Sequence, residues 1–305
     1  VTTMRWLDKV VAEALPLVPR PIVRRVSARY IAGERLEDAI RVVRELNHQG
    51  MSATLDVLGE FVTNPAEASR AAESYIVALN AIHREGLNSN VSLKLTQMGL
   101  KVDLELCFQL TARIVETARG YDNFVRLDME DSSCTDATLA IHERLLQHYP
   151  GSVGCVIQAY LKRSAEDVRQ LIDMGARVRL CKGIYVEPPE IAYRDPLEVN
   201  RNYVRLLTDL LEHRIHTGIA THDDRLVTSA FDLIRRLDLG PDAYEFQMLL
   251  GVRESLRTMI RDAGHPLRVY VPFGSHWYAY SLRRLKENPQ IAGHVLRGFL
   301  KNGRS

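Results

Sequence analysis

Eight short runs rich in β-branched and aromatic residues punctuate this chain, alternating with segments of helical periodicity. The runs are SATLDVLG (52–59), NVSLKL (90–95), NFVRLD (123–128), VGCVIQAY (153–160), RVRLC (177–181), TGIATH (217–222), AYEFQML (243–249) and RVYVPFG (268–274). Between them lie stretches such as AEASRAAESYIVALNAIHREG and AEDVRQLIDMGA, whose apolar residues recur every three or four positions. Strand starts spaced about 25–40 residues apart, with helices between, are the pattern of an eight-stranded parallel α/β barrel. An open doubly wound sheet is the alternative. No GxGxxG turn follows any early strand to support it.

At 305 residues and 46% hydrophobic content the chain supports one large core. Before residue 50 the pattern is helical. Val10, Val11 and Leu15 share a face, and Pro16, Pro19 and Pro21 then break the chain. A second helix is expected over 22–32, stopped by Gly33, and a third over 36–46, stopped by Gly50. The expected organisation is an N-terminal helical segment (1–49), the barrel (50–290) and a C-terminal tail (291–305). A net charge of +2 gives no reason to expect a nucleic-acid partner. The four cysteines form no CxxC or Cys/His pattern, so neither a zinc site nor a disulfide framework is indicated and a reducing cytoplasm fits. Asp8, Lys9 and Glu13 interrupt the first apolar stretch, which argues against a signal peptide. No run approaches the roughly 20 apolar residues of a membrane span.

Strand residues alternate faces, so the direction of each side chain can be read by parity. Val91, Leu93 and Leu95 oppose Ser92 and Lys94. Val125 and Leu127 oppose Arg126 and Asp128, and Val178 and Leu180 oppose Arg177 and Arg179. Asp56 lies between Leu55 and Val57, Glu245 and Gln247 oppose Tyr244, Phe246 and Met248, and Arg268 and Tyr270 oppose Val269 and Val271. The apolar parity is expected against the helices and the polar parity toward the barrel axis, where barrels usually carry Val, Ile and Leu. Five cations (Lys94, Arg126, Arg177, Arg179, Arg268) then meet three acids (Asp56, Asp128, Glu245). An ion-pair network accounts for Arg126, Arg177 and Glu245. The excess of cations points to an anion at the C-terminal ends of the strands, near Lys94, Asp128, Gln158, Arg179, His222 and Tyr270.

After the eighth run comes YSLRRLKENP (280–289), in which Tyr280, Arg283, Arg284 and Glu287 share one helical face. A helix there can fold back over the barrel mouth. Two arginines above Lys94 would make a carboxylate or phosphate clamp, because the planar guanidinium binds such groups in two places at once. A solvated stripe is the plainer reading of the same face.

The motifs TLDVLGE (54–60), SLKLTQMG (92–99), RLDMEDS (126–132), VIQAYLKRS (156–164), RVRLCKGIY (177–185), ATHD (220–223), YEFQMLLG (244–251), RVYVPFG (268–274) and YSLRRLKENP (280–289) resemble proline dehydrogenase in its short, single-activity bacterial form. The likeness runs in order along nearly the whole chain. It implies a distorted (β/α)8 TIM-like barrel with N-terminal helices and a final helix covering the mouth. It also implies FAD, oxidation of L-proline to Δ1-pyrroline-5-carboxylate, and electron transfer to a membrane quinone. On this resemblance Lys94, Arg283 and Arg284 hold the substrate carboxylate, and Tyr270 and Tyr280 wall the substrate pocket. Asp128 matches the acid of the third strand and Arg179 the arginine beside the flavin N5. Met129 and Gln158 match contacts to the flavin, Lys182, Gly183 and Ile184 the segment at the ribityl and phosphate chain, and Thr221 and His222 contacts at the nucleotide end. No metal is implied. The chemistry expected is hydride transfer from the ring C5 to the flavin, with Asp128 aiming Lys94 or an arginine rather than acting as a base.

Other readings of the same residues are open to the sequence. A Schiff-base aldolase uses such a barrel with a strand-end lysine, for which Lys94 and Lys182 qualify. A metal-dependent hydrolase would draw on His222 and Asp223, without the accompanying HxH or carboxylate–His cluster. A non-enzymatic binding module leaves the inward charges without a purpose. At the N-terminus, Ile22, Val23, Val26 and Tyr30 with Arg20, Arg24, Arg25 and Arg29 form a candidate amphipathic helix for peripheral contact with anionic lipid. A helix packed on the barrel with its arginines in water is the alternative.

Overall fold

In a computed structural model, residues 23–24, 27–59, 62–278 and 280–282 are described. Eight parallel strands close on themselves in sequence order: β1 (Ser52–Val57), β2 (Ser89–Lys94), β3 (Val125–Asp128), β4 (Val153–Gln158), β5 (Arg177–Cys181), β6 (Thr217–Ala220), β7 (Tyr244–Leu249) and β8 (Leu267–Phe273). Each begins within two residues of its expected start. The expected runs overshoot mainly at their C-terminal ends, where the chain leaves the sheet to form loops. Closure excludes the open doubly wound sheet, since β8 pairs with β1 from Ser52↔Arg268 to Val57↔Phe273.

Seven helices follow β1 to β7 in turn: α2 (Pro65–Arg84), α3 (Leu104–Gly120), α4 (Thr135–His148), α5 (Ser164–Asp173), α6 (Pro196–Glu212), α7 (Asp224–Arg236) and α8 (Glu254–Asp262). The polar residue at a helix entry fixes several of them. Asn64 accepts from Glu67 N at 3.0 Å with Pro65 at the first helical position, Asp103 accepts from Leu106 N at 2.8 Å, and Asp223 accepts from Arg225 N at 3.0 Å. Helix α1 (Leu36–His48) precedes β1 and packs across β8 and β1. It covers the wall that a helix after β8 would cover in a regular barrel. The segment after β8 turns toward the mouth instead, where residues 277, 278 and 280–282 are helical. That exchange is the distortion of the barrel.

The main core lies between sheet and helices. Val91, Leu93, Leu95, Val125, Leu127, Val178 and Leu180 are wholly buried there with Tyr75, Leu79 and Ile82 of α2. The parity reading therefore holds: the apolar face of each strand meets helices and the polar face meets the axis. The expected helix over 22–32 is shorter among the described residues. Val23, Arg24 and Ser27 are helical, but Ala28–Tyr30 form a turn and Ala32 N donates to Pro272 O at 2.9 Å. Val23 is fully buried, while Arg24 is exposed and lies 3.6 Å from Glu34. Arg20, Ile22, Arg25, Val26, Arg283, Arg284, Glu287 and the expected tail lie outside the described residues.

Candidate active site

Side chains of the inward parity near the strand C-termini converge on Asp128, the last residue of β3. Its Oδ1 accepts from Ser92 Oγ at 2.6 Å and Arg179 Nη1 at 2.8 Å. Its Oδ2 accepts from Tyr270 OH at 2.7 Å and Lys94 Nζ at 3.5 Å. Two donors on each oxygen occupy the acceptor sites a carboxylate offers. Burial raises the pKa of Asp128, but the charges of Lys94 and Arg179 outweigh it and the net shift is downward. Asp128 is thus held ionised with no lone pair to spare, an arrangement suited to aiming cations and unsuited to accepting a proton.

Lys94 is gripped from the other side by Asp56, with Nζ 3.0 and 3.1 Å from the two oxygens. Burial lowers its pKa, yet Asp56 and Asp128 overcome this and raise it above the ordinary lysine value. A Schiff-base lysine needs the neutral amine, so this environment works against the aldolase reading. Tyr75 of α2 reaches over the end of β1 to place its hydroxyl 3.3 Å from Asp56 and 3.2 Å from Gln97. Asp56, Ser92, Tyr75 and Gln97 were not expected site residues. Parity flags the first two as inward, whereas nothing in the spacing of α2 marks Tyr75.

Arg179 extends across the axis. Its Nε donates to Gln247 Oε1, Gln247 Nε2 donates to Glu245 Oε1 at 2.5 Å, and Glu245 receives Arg268 Nε at 2.8 and 2.9 Å. A column of hydrogen bonds therefore runs down the barrel from Arg179 to Arg268. Glycines make room for it. A Cβ on Gly218 of β6 would lie 2.6 Å from Gln247 Nε2, and one on Gly154 of β4 would lie 2.6 Å from Arg126 Nη1. The column corrects two expectations. Glu245 pairs with Arg268, not with Arg126 or Arg177. At the mouth, Lys94 and Arg179 are balanced by Asp56 and Asp128. The surplus cations, Arg126 and Arg177, lie on the opposite side of the barrel, at its floor.

Every expected site residue that the structure describes lines one cavity of about 890 Å³ at the mouth. Lys94, Asp128, Arg179, Tyr270 and Tyr280 lie at one end, and Met129, Gln158, Lys182, Gly183, Ile184, Thr221 and His222 continue it. Tyr280 is buried against Ile31 and Leu58, so the start of the final helix contributes to the mouth as expected. Gln158 Nε2 donates to Glu130 O at 2.7 Å, and His222 Nε2 accepts from Leu249 N at 2.9 Å. Lys182 Nζ meets Asp223 Oδ2 at 2.6 Å while Asp223 Oδ1 caps α7, which ties the β5 loop to a helix start. Gly183 has φ +104°, and a Cβ there would fall 2.1 Å from the Tyr160 ring. The lining also contains Tyr185, Asp224 and Arg253, which strand parity cannot find because they sit on loops or, for Asp224, at the start of α7. Arg253 has φ +48° and grips Asp224 at 2.7 and 2.8 Å.

These features suit a large flat cofactor with an anionic tail. The cavity falls within the roughly 300–1,000 Å³ of small-molecule sites. Its inner end combines a fixed guanidinium with aromatic and amide groups, and its outer arm combines a lysine with a glycine turn that brings backbone close.

Comparison with known proteins agrees with this geometry. The family profile described as proline dehydrogenase matches residues 39–297. Proline dehydrogenase of Deinococcus radiodurans is 38% identical over 280 residues, covering 90% of each chain. Proline dehydrogenase 1 of Bacillus subtilis strain 168 is 38% identical over 273 residues, again covering 90% of each. Among solved structures, proline utilization A from Bdellovibrio bacteriovorus inactivated by N-propargylglycine superposes with a TM-score of 0.81 at 26% identity. That match covers 87% of this chain and 33% of the other, so this chain spans about a third of the longer protein. By profile, by full-length relatives and by fold, the chain belongs to the proline dehydrogenase family.

Proposed function

We propose that this protein oxidises L-proline to Δ1-pyrroline-5-carboxylate, with FAD as cofactor and a membrane quinone as final electron acceptor. The observation that carries the reading is the hydrogen-bonded Lys94–Asp128–Arg179–Tyr270 cluster, partly open to a cavity that continues to Lys182 and Asp223. When bound, FAD supplies the two-electron acceptor that no amino-acid side chain provides. Met129 and Gln158 would contact its ring, Lys182, Gly183 and Ile184 its ribityl and phosphate chain, and Thr221 and His222 its nucleotide end.

The protein's own part is placement. Lys94, with Arg283 and Arg284, holds the proline carboxylate and thereby fixes which ring carbon faces the acceptor. These cations also lower the pKa of the substrate ammonium, favouring the neutral amine whose lone pair forms the imine. Arg179 is held at both ends by Asp128 and Gln247, so it presents fixed positive charge to negative charge developing on the acceptor. Tyr270 is held by its hydroxyl to Asp128 and offers its ring face to the pyrrolidine, leaving little room for a 4-hydroxyl. A pocket difference of that size discriminates by about 1–3 kcal/mol.

No described helix is long and apolar enough to cross a membrane. Electron delivery to a quinone therefore calls for contact with the lipid surface, which vesicle co-sedimentation of the reduced enzyme tests. The central test is anaerobic addition of L-proline to the purified protein. Bleaching of visible flavin bands by proline, and slower bleaching by 4-hydroxyproline, supports the reading. Bands that persist overturn the substrate, and a colourless protein that cannot be reconstituted overturns the cofactor.

A further inference from the structure

The two cations left over from the mouth converge at the other end of the barrel. Phe124, which leads into β3, carries a guanidinium near its ring from each of two strands. The Arg126 Cζ lies 4.7 Å from the ring centroid and the Arg177 Cζ lies 5.2 Å from it. Arg126 is buried, with Nη1 bonded to the carbonyls of Arg177 at 2.7 Å and Cys155 at 3.1 Å and with Nε lacking a partner. Neither arginine has a carboxylate partner among the described residues, because the inward acids are engaged by Lys94, Arg179 and Arg268. Desolvation and, less, the nearby Arg179 push the Arg126 pKa down to about 9, with Glu245 opposing only in part.

A second cavity of about 590 Å³ opens at this floor. Arg177, Arg268, Arg119, Asn90 and Asn123 line it, with Asp122 as its one lining carboxylate. Counting Arg126 behind Phe124 and Glu245 behind Arg268, four guanidinium groups face two carboxylates, an excess of two positive charges. The floor of such a barrel ordinarily serves stability. A buried guanidinium without a counter-charge, as at Arg126, does not, since an uncompensated buried charge costs several kcal/mol, and the half-buried Arg177 beside it adds a second unpaired charge. A bound anion would supply the missing charge, and the arginine fork matches carboxylate and phosphate oxygens.

We propose that the N-terminal floor of the barrel is a binding site for a small carboxylate- or phosphate-bearing molecule, seated between Arg177 and Arg268 on the face opposite the catalytic cavity. The site stands independently of the proposed reaction.

The test uses the cofactor-bound protein and follows thermal melting in inorganic phosphate and, separately, in succinate, each at ionic strength held constant with chloride. A saturable rise in Tm with either probe is expected, together with at least about tenfold weaker binding in Arg177→Gln, the loss of one charged hydrogen-bonding fork. Which probe acts distinguishes phosphate from carboxylate ligands. The mouth also holds cations, so an equal response in wild type and Arg177→Gln would assign the effect there and overturn the proposal. No saturable response to either probe overturns it as well. If Arg177→Gln does not fold, Arg177→Lys keeps the charge but not the fork, and a wild-type response from it is equally fatal. Hydrogen exchange on the wild-type protein gives a reading that needs no variant. Amides at 86–90 and 119–123 should slow with the effective probe, and unchanged exchange there refutes the site.

Discussion

Replacing Asp128 by Asn tests the central geometry most severely. The change keeps the shape of the side chain and removes one negative charge between the buried Arg179 and the partly buried Lys94. At an effective dielectric of about 20, attraction to Arg179 at 2.8 Å is worth about 6 kcal/mol and attraction to Lys94 at 3.5 Å about 5 kcal/mol. Much of this offsets the cost of desolvating three charged groups, so the net loss is about 3–5 kcal/mol, the usual cost of removing one member of a buried pair. Hydrogen bonding adds to the damage. Ser92 and Arg179 donate to one oxygen, and Tyr270 and Lys94 donate to the other. Whichever way the asparagine amide turns, its NH2 faces a cation, Arg179 or Lys94, that can only donate. Urea unfolding at neutral pH should show the midpoint lowered by about 1 M or more, taking a slope of about 3 kcal/mol per molar. Activity with L-proline should fall about a hundredfold through misplacement of Lys94 and Arg179, with the acid limb of the pH–rate profile unmoved. A midpoint within about 0.3 M of wild type would refute the electrostatic argument. Loss of the acid limb alone would show that Asp128 is a base after all.

Three further outcomes follow from the same structure. Gly183→Ala forces a Cβ into the Tyr160 ring at φ +104°, and the strained loop should retain flavin at well under the wild-type ratio to protein, read from the visible spectrum. Glu245 is held down to about 2 because Arg268 outweighs burial, so its contribution is full above the unfolded value near 4.3 and lost as pH falls toward 2. Glu245→Gln should therefore be less stable than wild type at pH 7 by about 3–5 kcal/mol, and the two unfolding curves should draw together between pH 4.3 and 2. His142 is wholly buried with neither ring nitrogen bonded, and burial, then Arg126, lowers its pKa to about 4. The unfolded chain binds the extra proton between pH 6.5 and 4, so about 3 kcal/mol of stability is lost as pH falls through that window; His142→Leu should flatten the slope there.

The strands were legible because period-2 alternation reports which face each side chain takes, and a barrel turns that one fact into a site. Lys94, Asp128, Arg179 and Tyr270 could be gathered from four separate runs because inward parity near a strand's C-terminal end leaves few other places for a side chain to go. Parity says nothing about height. Arg126 and Asp128 are both inward on β3, yet two residues separate them by about 6.6 Å along the strand. That step places one at the floor and the other at the mouth. Which cations face which acids then depends on the stagger between strands, and the stagger is set by closure of the whole sheet rather than by any one segment. The same limit hid Tyr75, whose contact with Asp56 joins the outside of the barrel to the inside. Loop residues such as Asp223 and Arg253 carry no periodic signal at all. One clue to height was present in the sequence: Gly154 and Gly218 stand at inward positions where a side chain would collide with Arg126 and Gln247. In a barrel lined with long polar groups, an inward glycine marks the level at which a neighbour crosses the axis: Gly154 marks that of Arg126 and Gly218 that of Gln247.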